Sequence, residues 1–552
     1  MYALVFGSGT GFLKRLQCWH KVIFLPHQSV SESVLNNLFQ SINDFFAFIQ
    51  PIADAVWGFP TQLTWYAQIP LLGQMSFAVL LLLGMGLYFS LRTGFIQTLS
   101  FSRAIQIMMR RRTSDTGISA FASFMLGLAM RAGPGNIVGV TGAITVGGPG
   151  ALFWMWVAAF FGMATAFMEA VLAQLFKEKK NNDYVGGLPF YGRRILGNKR
   201  FVGIFLSVAF IVYALFNVPI QTFNVFTAIG MVAETATGIE SDRQSPLYYG
   251  IALLLISYCA YLILGGIRRV SAWTNLIVPF MAVLFCAISL LIILVNFPLV
   301  PFFLKEVAVG AFSPEALFGG GMGVALAEGV RRGLMSNEAG QGTITMAAAV
   351  ADNNHPCEQG LVQSLGVFFD TIVICTLTGF IVVIAHLWTG ATDAIEWSAM
   401  SASRIGTYVG SVQALVPDSL NTVITIIVSI CYALFAFTTL LGMISFAEIS
   451  ANFISRTPGF ILFIRLLGSL FFVPFGALTV LAGLELGNLW AISDLTNIVM
   501  VYLNIPILML GSPLVFKALA HYRETQGGKF ISASIGLNTE HWTQNEQRHL
   551  PD

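Results

Sequence analysis

Two clusters of glycine interrupt long apolar stretches of the chain, and their chemistry lies in the backbone. In the first cluster, Gly133, Pro134 and Gly135 fall in the middle of the stretch FMLGLAMRAGPGNIVGVTGAI. Two glycines and a proline cannot continue an ordinary helix, so nearby N–H and C=O groups lose their partners. Free N–H groups at a helix start attract anions, and free carbonyls at a helix end attract cations. The second cluster spans 319–323 (GGGMG). A simpler interpretation is that these glycines permit close helix packing and that Pro134 makes a kink.

Four ionisable residues lie within or beside the apolar stretches, namely Arg131, Glu169, Glu328 and Asp370. Such groups are costly in an apolar environment, so each is a candidate for a gate, a proton site or a fixed bond between helices. For Asp370, deep inside its stretch, a fixed bond is the favoured role. Glu169, near the cytoplasmic end of its stretch, is close enough to the interface to extend its carboxylate there, or to pair with Lys177. Arg131 is expected to pair with an acid, for which Glu328 is one candidate.

Two neutral amides also occupy apolar surroundings. Asn136 follows the first glycine cluster, where its side-chain oxygen is a candidate cation ligand or substrate contact. The alternative is that it only caps the second half of the interrupted helix. Gln221, in the stretch VPIQTFN, is costly to bury unless it is paired. It is therefore expected to face a site or to bond a neighbouring helix.

The elements that must position these residues are apolar helices. The 552 residues are 56% hydrophobic and only 10% charged, with a mean hydropathy of +0.75. Soluble domains carry about 25% charged residues, so a soluble enzyme and a disordered chain are excluded. A net charge of +2 gives no basic surface for nucleic acid. Long unbroken apolar runs favour membrane-spanning helices over barrel strands. Eleven such runs lie at about 70–91, 117–146, 150–176, 201–236, 247–265, 271–297, 313–334, 361–388, 420–450, 460–484 and 490–516.

Basic residues predict how these runs are oriented. With the start of the first run outside, the inner connections hold most of the Lys and Arg, including 110–112 and 331–332. The outer connections hold only Arg243, Lys305 and Arg404. Because basic residues concentrate on the cytoplasmic side, the carboxyl terminus is predicted to be cytoplasmic. The same distribution supports counting the glycine-rich run 313–334 as a crossing.

The positions of the two glycine clusters predict an internal symmetry. They lie in the second and seventh runs, five crossings apart, so the two interrupted helices run in opposite directions. Residues 117–297 and 313–516 are then two five-helix halves of inverted topology. Paired interruptions in corresponding places are typical of the binding site of a secondary transporter.

The remaining parts of the chain lie outside these halves. We expect an amphipathic helix at 31–58 to lie on the outer surface and a short interfacial helix at 183–198 to lie on the inner surface. The tail after Tyr522 is polar and is predicted to be disordered. The predicted divisions are an extension (1–64), a leading helix with its cytoplasmic loop (65–116), the two halves, and a cytoplasmic tail (517–552).

Several long motifs resemble the alanine or glycine:cation symporter family. The two longest are 133–173, which begins GPGNIVGVTGAITVGGPG, and 331–379, which begins RRGLMSNEAGQGTITM. The short pieces RTGFIQ at 92–97 and FTTLLG at 437–442 are similar too. The resemblance covers roughly 70–516. It implies sodium-coupled uptake of alanine or glycine on a leucine-transporter-type inverted-repeat fold, in a bacterial inner membrane.

The resemblance also implies a sodium site. Thr438 and Thr439 resemble the hydroxyl pair that binds sodium in this fold, and carbonyls near Ala129 and Ala132 would complete the site. Sodium is a hard cation and prefers oxygen ligands, by the logic that serves calcium and magnesium. The alternative is that each threonine bonds a carbonyl of its own helix one turn back.

A substrate site and an inner gate are also expected. Gln221 resembles a polar position that faces the substrate. Phe318 is expected to shape the pocket, although a lone aromatic residue more often serves packing. Residues 336–342, including Asn337, are expected on the cytoplasmic side as part of the inner gate. One departure is Pro134, where the family has threonine, because proline lacks an N–H to donate to a carboxylate. The glycines expected to expose backbone to a small substrate are Gly133, Gly135, Gly320 and Gly321.

The sequence as a whole predicts an all-α polytopic membrane protein with interrupted helices 2 and 7. Its predicted function is sodium-coupled import of small neutral amino acids by alternating access, without a cofactor. The expected partners are sodium, alanine or glycine, and the lipid bilayer, with no nucleic acid. A proton-coupled transporter of the same fold is the nearest alternative. A membrane-embedded enzyme or a channel is a further alternative, although the chain has no HxxxH pair and no phosphate-binding loop.

Overall fold

The part of the chain that the structure describes is helical apart from one small sheet. This computed structural model describes residues 44, 48–69, 72–110, 117–180, 183–238, 245–312, 321–387, 404–481 and 486–543. Strand β1 (Glu178–Lys180) pairs antiparallel with strand β2 (Asp183–Val185), with Lys179 opposite Tyr184. Apart from this two-stranded sheet, the predicted all-helical fold is confirmed.

Thirteen helices among the described residues form the body. In chain order they are α1 (Phe77–Arg92), α2 (Ala120–Arg131), α3 (Val138–Gly147), α4 (Gly150–Leu175), α5 (Arg200–Thr237), α6 (Pro246–Leu264), α7 (Gly266–Val295), α8 (Gly321–Asn337), α9 (Ile344–Ala349), α10 (Pro356–His386), α11 (Asp418–Ala451), α12 (Pro458–Leu481) and α13 (Leu486–Glu524). Eight helices among the described residues, α4–α7 and α10–α13, are long and apolar enough to cross a membrane. The count of eleven spans stays a prediction.

Short helical segments connect these helices. The α-helical ones are 48–58, Thr64–Ala67, Ile96–Leu99, Phe101–Met109, Leu188–Ile195, Val300–Phe312, Arg404–Ala414 and Glu540–Thr543. The 3₁₀ turns are Leu72–Gln74, Pro134–Asn136, Phe297–Leu299 and Ser532–Ile535. Wider π-helical turns occur within α10 at Phe368–Cys375 and within α12 at Gly468–Phe472.

Packing separates a buried centre from an apolar outer face. Helices α5 and α11 pack along each other, and α4 packs against α8, α9 and α10. Helix α11 is buried over most of its length. Helix α7 instead exposes many large apolar side chains, as expected where lipid replaces water. They include Leu276, Phe280, Val283, Leu290, Leu291 and Leu294.

Two predictions about the surface segments are wrong. Residues 183–198 do not form one interfacial helix, because the chain first pairs as β2 and only then forms the helix Leu188–Ile195. The tail is ordered as far as the structure describes it, to residue 543, because α13 continues to Glu524 and the chain then folds back to Trp542, whose side chain is fully buried. The last nine residues of the predicted tail lie outside the described residues. Of the predicted amphipathic helix, residues 48–58 are helical, with Ala53 and Trp57 buried.

Candidate functional site

The first helix interruption lies where the glycine cluster predicts it. Helix α2 ends at Arg131, Pro134–Asn136 makes a single 3₁₀ turn, and α3 begins at Val138. The side-chain oxygen of Asn136 accepts a hydrogen bond from the Gly133 N–H at 2.9 Å. Asn136 therefore caps the turn, which was the simpler of its two predicted roles. All of these residues except Gly135 are fully buried.

The second interruption lies elsewhere than predicted. Gly321 begins α8 and the helix continues through Gly323, so no break occurs at this part of the glycine cluster. Phe318 and Gly320 lie outside the described residues. The break falls between α8 and α9, at 338–343, where Glu338 and two glycines have positive φ angles. Residues 336–342 therefore belong to the interrupted helix and meet the first interruption, and are not confined to an inner gate.

Asp370 ties the two interruptions together. Its carboxylate accepts hydrogen bonds from Asn136 Nδ2 at 2.6 Å, from Thr371 Oγ1 at 2.9 Å and from Ser336 Oγ. Asn337 at the end of α8 donates to Thr371 as well, at 3.3 Å. Asp370 lies in the π-helical turn of α10 and is fully buried. These contacts match the fixed bond that the sequence analysis favoured for it.

Glu169 holds the backbone of the second interruption. One of its carboxylate oxygens accepts hydrogen bonds from the N–H groups of Gly340 at 3.1 Å and Gly342 at 2.8 Å, and from Asn504 Nδ2 at 2.6 Å. The predicted pair with Lys177 is wrong, since Lys177 Nζ donates to the Ala351 carbonyl at 2.6 Å. A carboxylate that collects N–H groups in this way fixes an otherwise unpaired loop.

Arg131 and Glu328 also differ from prediction. Arg131 is buried and its Nε donates to the Asn337 carbonyl at 3.1 Å, so it links the ends of α2 and α8. Glu328 pairs with Arg332 at 3.3 Å and with Arg331 at 3.7 Å. Both arginines lie inside α8 and not in an inner loop, which corrects their assignment to a cytoplasmic connection.

The two threonines of α11 have different surroundings. Thr439 Oγ1 lies 3.1 Å from the Ala129 carbonyl of α2 and 3.0 Å from the Phe435 carbonyl of its own helix. Thr438 Oγ1 lies 3.0 Å from the Leu434 carbonyl, one turn back in α11. Thr439 therefore bridges α11 and α2, whereas Thr438 makes the predicted bond to a carbonyl of its own helix one turn back. Ala132, the last residue before the break, is also fully buried.

A small cavity lies at the meeting point of these elements. Its volume is about 30 Å³, which is about the space of one water molecule. Gly133, Pro134 and Gly135 form one side, Gln221 and Thr439 another. Among the described residues, the Gln221 side-chain oxygen is buried without a hydrogen-bond partner. The remaining lining residues are Met130, Arg131, Tyr213, Asn217, Met335, Glu338, Met443, Trp490, Ser493 and Asn497.

A charged cluster closes one side of this cavity. Arg332 bonds Asp494 of α13 at 3.0 Å, and Arg331 bonds both Asp494 and Asp54. Arg332 also lies against Met335 and Trp490, two lining residues of the cavity.

Beyond this cluster is an open pocket of about 370 Å³, lined by Asp54, Trp57, Glu328 and Arg331 among others. The charged residues therefore separate the two spaces, on the side predicted to be outside.

The sequence contained a signal for this cluster. Glu328 stands three and four residues before Arg331 and Arg332, a spacing that could have placed all three on one face of one helix.

Comparison with known proteins shows the family to which the chain belongs. A model of the sodium:alanine symporter family matches residues 63–531. The chain belongs to this family. Family membership together with the apolar helices indicates an integral membrane protein that carries amino acids with a cation.

Named relatives cover nearly the whole chain. The sodium/alanine symporter AgcS of Methanococcus maripaludis is 34% identical over 494 residues, which is 87% of this chain and 98% of that protein. A putative sodium/proton-dependent alanine carrier, YrbD of Bacillus subtilis, is 33% identical over 480 residues, 85% of this chain and 95% of that protein. The probable sodium/glutamine symporter GlnT of Bacillus subtilis is 32% identical over 484 residues, 87% of this chain and 93% of that protein.

One solved structure supports the fold. The crystal structure of MhsT in complex with L-phenylalanine superposes with a TM-score of 0.51 at 11% identity, over 77% of this chain and 92% of that chain. At this identity the similarity concerns the fold alone. It agrees with the predicted leucine-transporter-type fold.

Proposed function

We propose that the protein is a sodium-coupled symporter that imports small neutral amino acids, alanine or glycine, by alternating access. The observation that carries the proposal is the meeting of two interrupted helices at one buried cavity, with a hydroxyl of α11 against the end of α2. The predicted inverted repeat of five and five helices, a bacterial inner membrane and a cytoplasmic carboxyl terminus are parts of the same proposal.

In this proposal sodium binds between α2 and α11. The Ala129 carbonyl and Thr439 Oγ1 already lie 3.1 Å apart, and the carbonyl of Ala132 lies at the same end of α2. Thr438, the other hydroxyl of the predicted site, joins this oxygen cage when it gives up its bond to the Leu434 carbonyl of its own helix. The carbonyl end of α2 carries partial negative charge, which favours a cation there. Neutral oxygens suffice for a monovalent ion, and the described residues hold no cluster of three His, Cys, Asp or Glu side chains.

The amino acid binds next to this ion, against the exposed backbone of Gly133 and Gly135. Gln221 supplies a buried acceptor without a partner, which an ammonium group would satisfy. The cavity of about 30 Å³ has to enlarge to admit any amino acid, and a small side chain requires the least enlargement. The relatives named for alanine support the same substrate class.

Coupling follows from the shared position of the two sites. Sodium holds the end of α2 against α11, which places Gly133 and Gly135 for the substrate. Each ligand therefore raises the affinity for the other. With both ligands bound, the protein favours the state in which the charged cluster separates the cavity from the outer pocket. This cluster consists of Asp54, Glu328, Arg331, Arg332 and Asp494.

Uptake into proteoliposomes tests this function. Labelled alanine is expected to accumulate with an inward sodium gradient and not with potassium in its place, because the oxygen cage is filled by sodium. Excess unlabelled glycine should compete with alanine. Glutamine, the substrate in the name of the relative GlnT, is the comparison and should compete less, because its side chain is larger. Accumulation that ignores sodium and follows an inward proton gradient would replace the proposal with the proton-coupled alternative.

Replacement of Thr439 by alanine is expected to raise the half-saturating sodium concentration about tenfold. The change removes one oxygen ligand, and an interaction with a charged group is worth about 1.5 kcal/mol or more. Ser445→Ala is the matched control, because Ser445 is buried in the same helix and donates to its own Leu441 carbonyl at 2.8 Å. Equal sodium dependence in the two variants would remove Thr439 from the ion site.

A further inference from the structure

The end of the chain folds back onto the body and is anchored at two points. Phe530 N–H donates to the Asn354 carbonyl at 3.0 Å, and Trp542 Nε1 donates to the Gln174 carbonyl at 2.8 Å. The side chains of Phe530 and Trp542 are fully buried, and Ile535 between them is buried too. Burial of large aromatic side chains makes this a bound segment.

Aromatic and cationic contacts surround both anchors. Lys177 Nζ lies 4.1 Å from the centre of the Tyr184 ring and 5.2 Å from that of Trp542. His355 packs edge-on against Phe530, with ring centres 4.8 Å apart. Burial and the nearby His521 lower the pKa of His355 to about 3, so its ring is neutral in these contacts.

The residues that bind the segment also join the two interrupted helices. Gln174 and Lys177 both donate to the Ala351 carbonyl just after α9, at 3.0 and 2.6 Å. Ile118, just before α2, exchanges backbone hydrogen bonds with Val350 and Asp352. The start of α2 and the end of α9 are therefore held together next to the carboxyl-terminal segment, which contacts Gln174 and Lys177 through Trp542.

We propose that residues 530–543 form a latch that holds the predicted cytoplasmic side closed and releases when the cavity opens to that side. Opening has to separate the start of α2 from the end of α9, and the latch binds the residues that join them. Its contacts thus exist only in the closed state and bias the equilibrium toward it. The proposal rests on the alternating access proposed above.

Modification of Cys357 in the purified full-length protein tests whether the segment releases. Cys357 is buried in the first turn of α10, and its N–H donates to His355, which lies against Phe530. In a background with the other cysteines replaced, Trp542→Ala is expected to speed maleimide modification of Cys357 roughly five- to tenfold. Phe530→Ala, at the other anchor, should do the same. Asn538→Ala, at an exposed position of the same segment, is the control and should change nothing.

The maximal uptake rate tests whether release matters for gating. Both anchor variants should raise this rate in proteoliposomes, because less free energy is then needed to open the cytoplasmic side. Unchanged modification in both variants would overturn the latch, and so would faster modification with an unchanged maximal uptake rate. Because modification needs no substrate, a wild-type protein without sodium-driven uptake refutes the proposed function separately.

Discussion

Replacement of Gly133 by alanine is expected to abolish sodium-driven alanine uptake. A Cβ atom at Gly133 would lie 2.5 Å from Thr439 Oγ1, which is too close for any contact. The threonine relieves this clash by rotating about its Cα–Cβ bond, and rotation moves the hydroxyl away from the Ala129 carbonyl. The added methyl also enters a cavity of only about 30 Å³. The variant therefore damages the proposed sodium site and the proposed substrate site with one carbon atom.

Gly139→Ala provides the matched control for this prediction. Gly139 is the second residue of α3, and a Cβ there would meet no atom within 4 Å. Any general effect of a methyl group on the interrupted helix is common to both variants. Uptake and its sodium dependence are measured in proteoliposomes for both, with equal amounts of folded protein. Normal half-saturating sodium in the Gly133 variant would show that Thr439 does not bind the ion.

The first interruption was predictable because its cause is local. A proline with one glycine on each side opposes helix formation whatever surrounds it. Gly133, Pro134 and Gly135 accordingly lie outside regular α-helix in the structure. The glycines at 321 and 323 are different, because glycine alone lowers helix propensity by only about 1 kcal/mol and packing offsets it. Both glycines accordingly lie in regular helix at the beginning of α8.

The second interruption depends on contacts that sequence spacing does not reveal. Gly340 and Gly342 have positive φ angles, and their N–H groups are held by Glu169, which lies far away in the chain. Lys177, only two helical turns from Glu169, was the nearer candidate partner in sequence. A buried carboxylate is satisfied by whatever donors the fold brings to it, so its partner follows from tertiary structure.

The carboxyl-terminal segment shows the same limit at the surface. Its composition is polar, and one tryptophan among polar residues gives no helical or strand period. Trp542 nevertheless becomes fully buried because α4, the small sheet and the end of α13 together form a site for it. Disorder is a sound expectation from composition only where no such site exists.

Replacement of Asp370 by asparagine is expected to lower the unfolding temperature of the purified protein and to weaken uptake strongly. Asp370 accepts bonds from Asn136, Ser336 and Thr371, and therefore connects α10 to both interrupted helices. Asparagine offers one acceptor oxygen and an NH2 group, so when the amide oxygen faces Asn136, the hydroxyl groups of Ser336 and Thr371 lose the carboxylate oxygen that accepts from both. An unsatisfied buried group costs about 1–3 kcal/mol. A variant as stable as the wild type would show that the carboxylate does not serve as the tie.

A double variant separates this structural role from a role in proton coupling. In Asn136→Asp with Asp370→Asn, the carboxylate at position 136 accepts from the new amide at position 370 and still accepts from the Gly133 N–H. The swap therefore restores the hydrogen bond between positions 136 and 370, although the hydroxyl groups of Ser336 and Thr371 still lose their carboxylate acceptor and position 370 no longer titrates. If Asp370 acts as a tie, the double variant should regain much of the thermal stability and sodium-driven uptake that the single variant loses. If a coupling proton has to be carried at position 370 itself, where the new carboxyl group at position 136 does not replace it, the double variant should regain stability alone, and uptake should stay absent under either a sodium or a proton gradient.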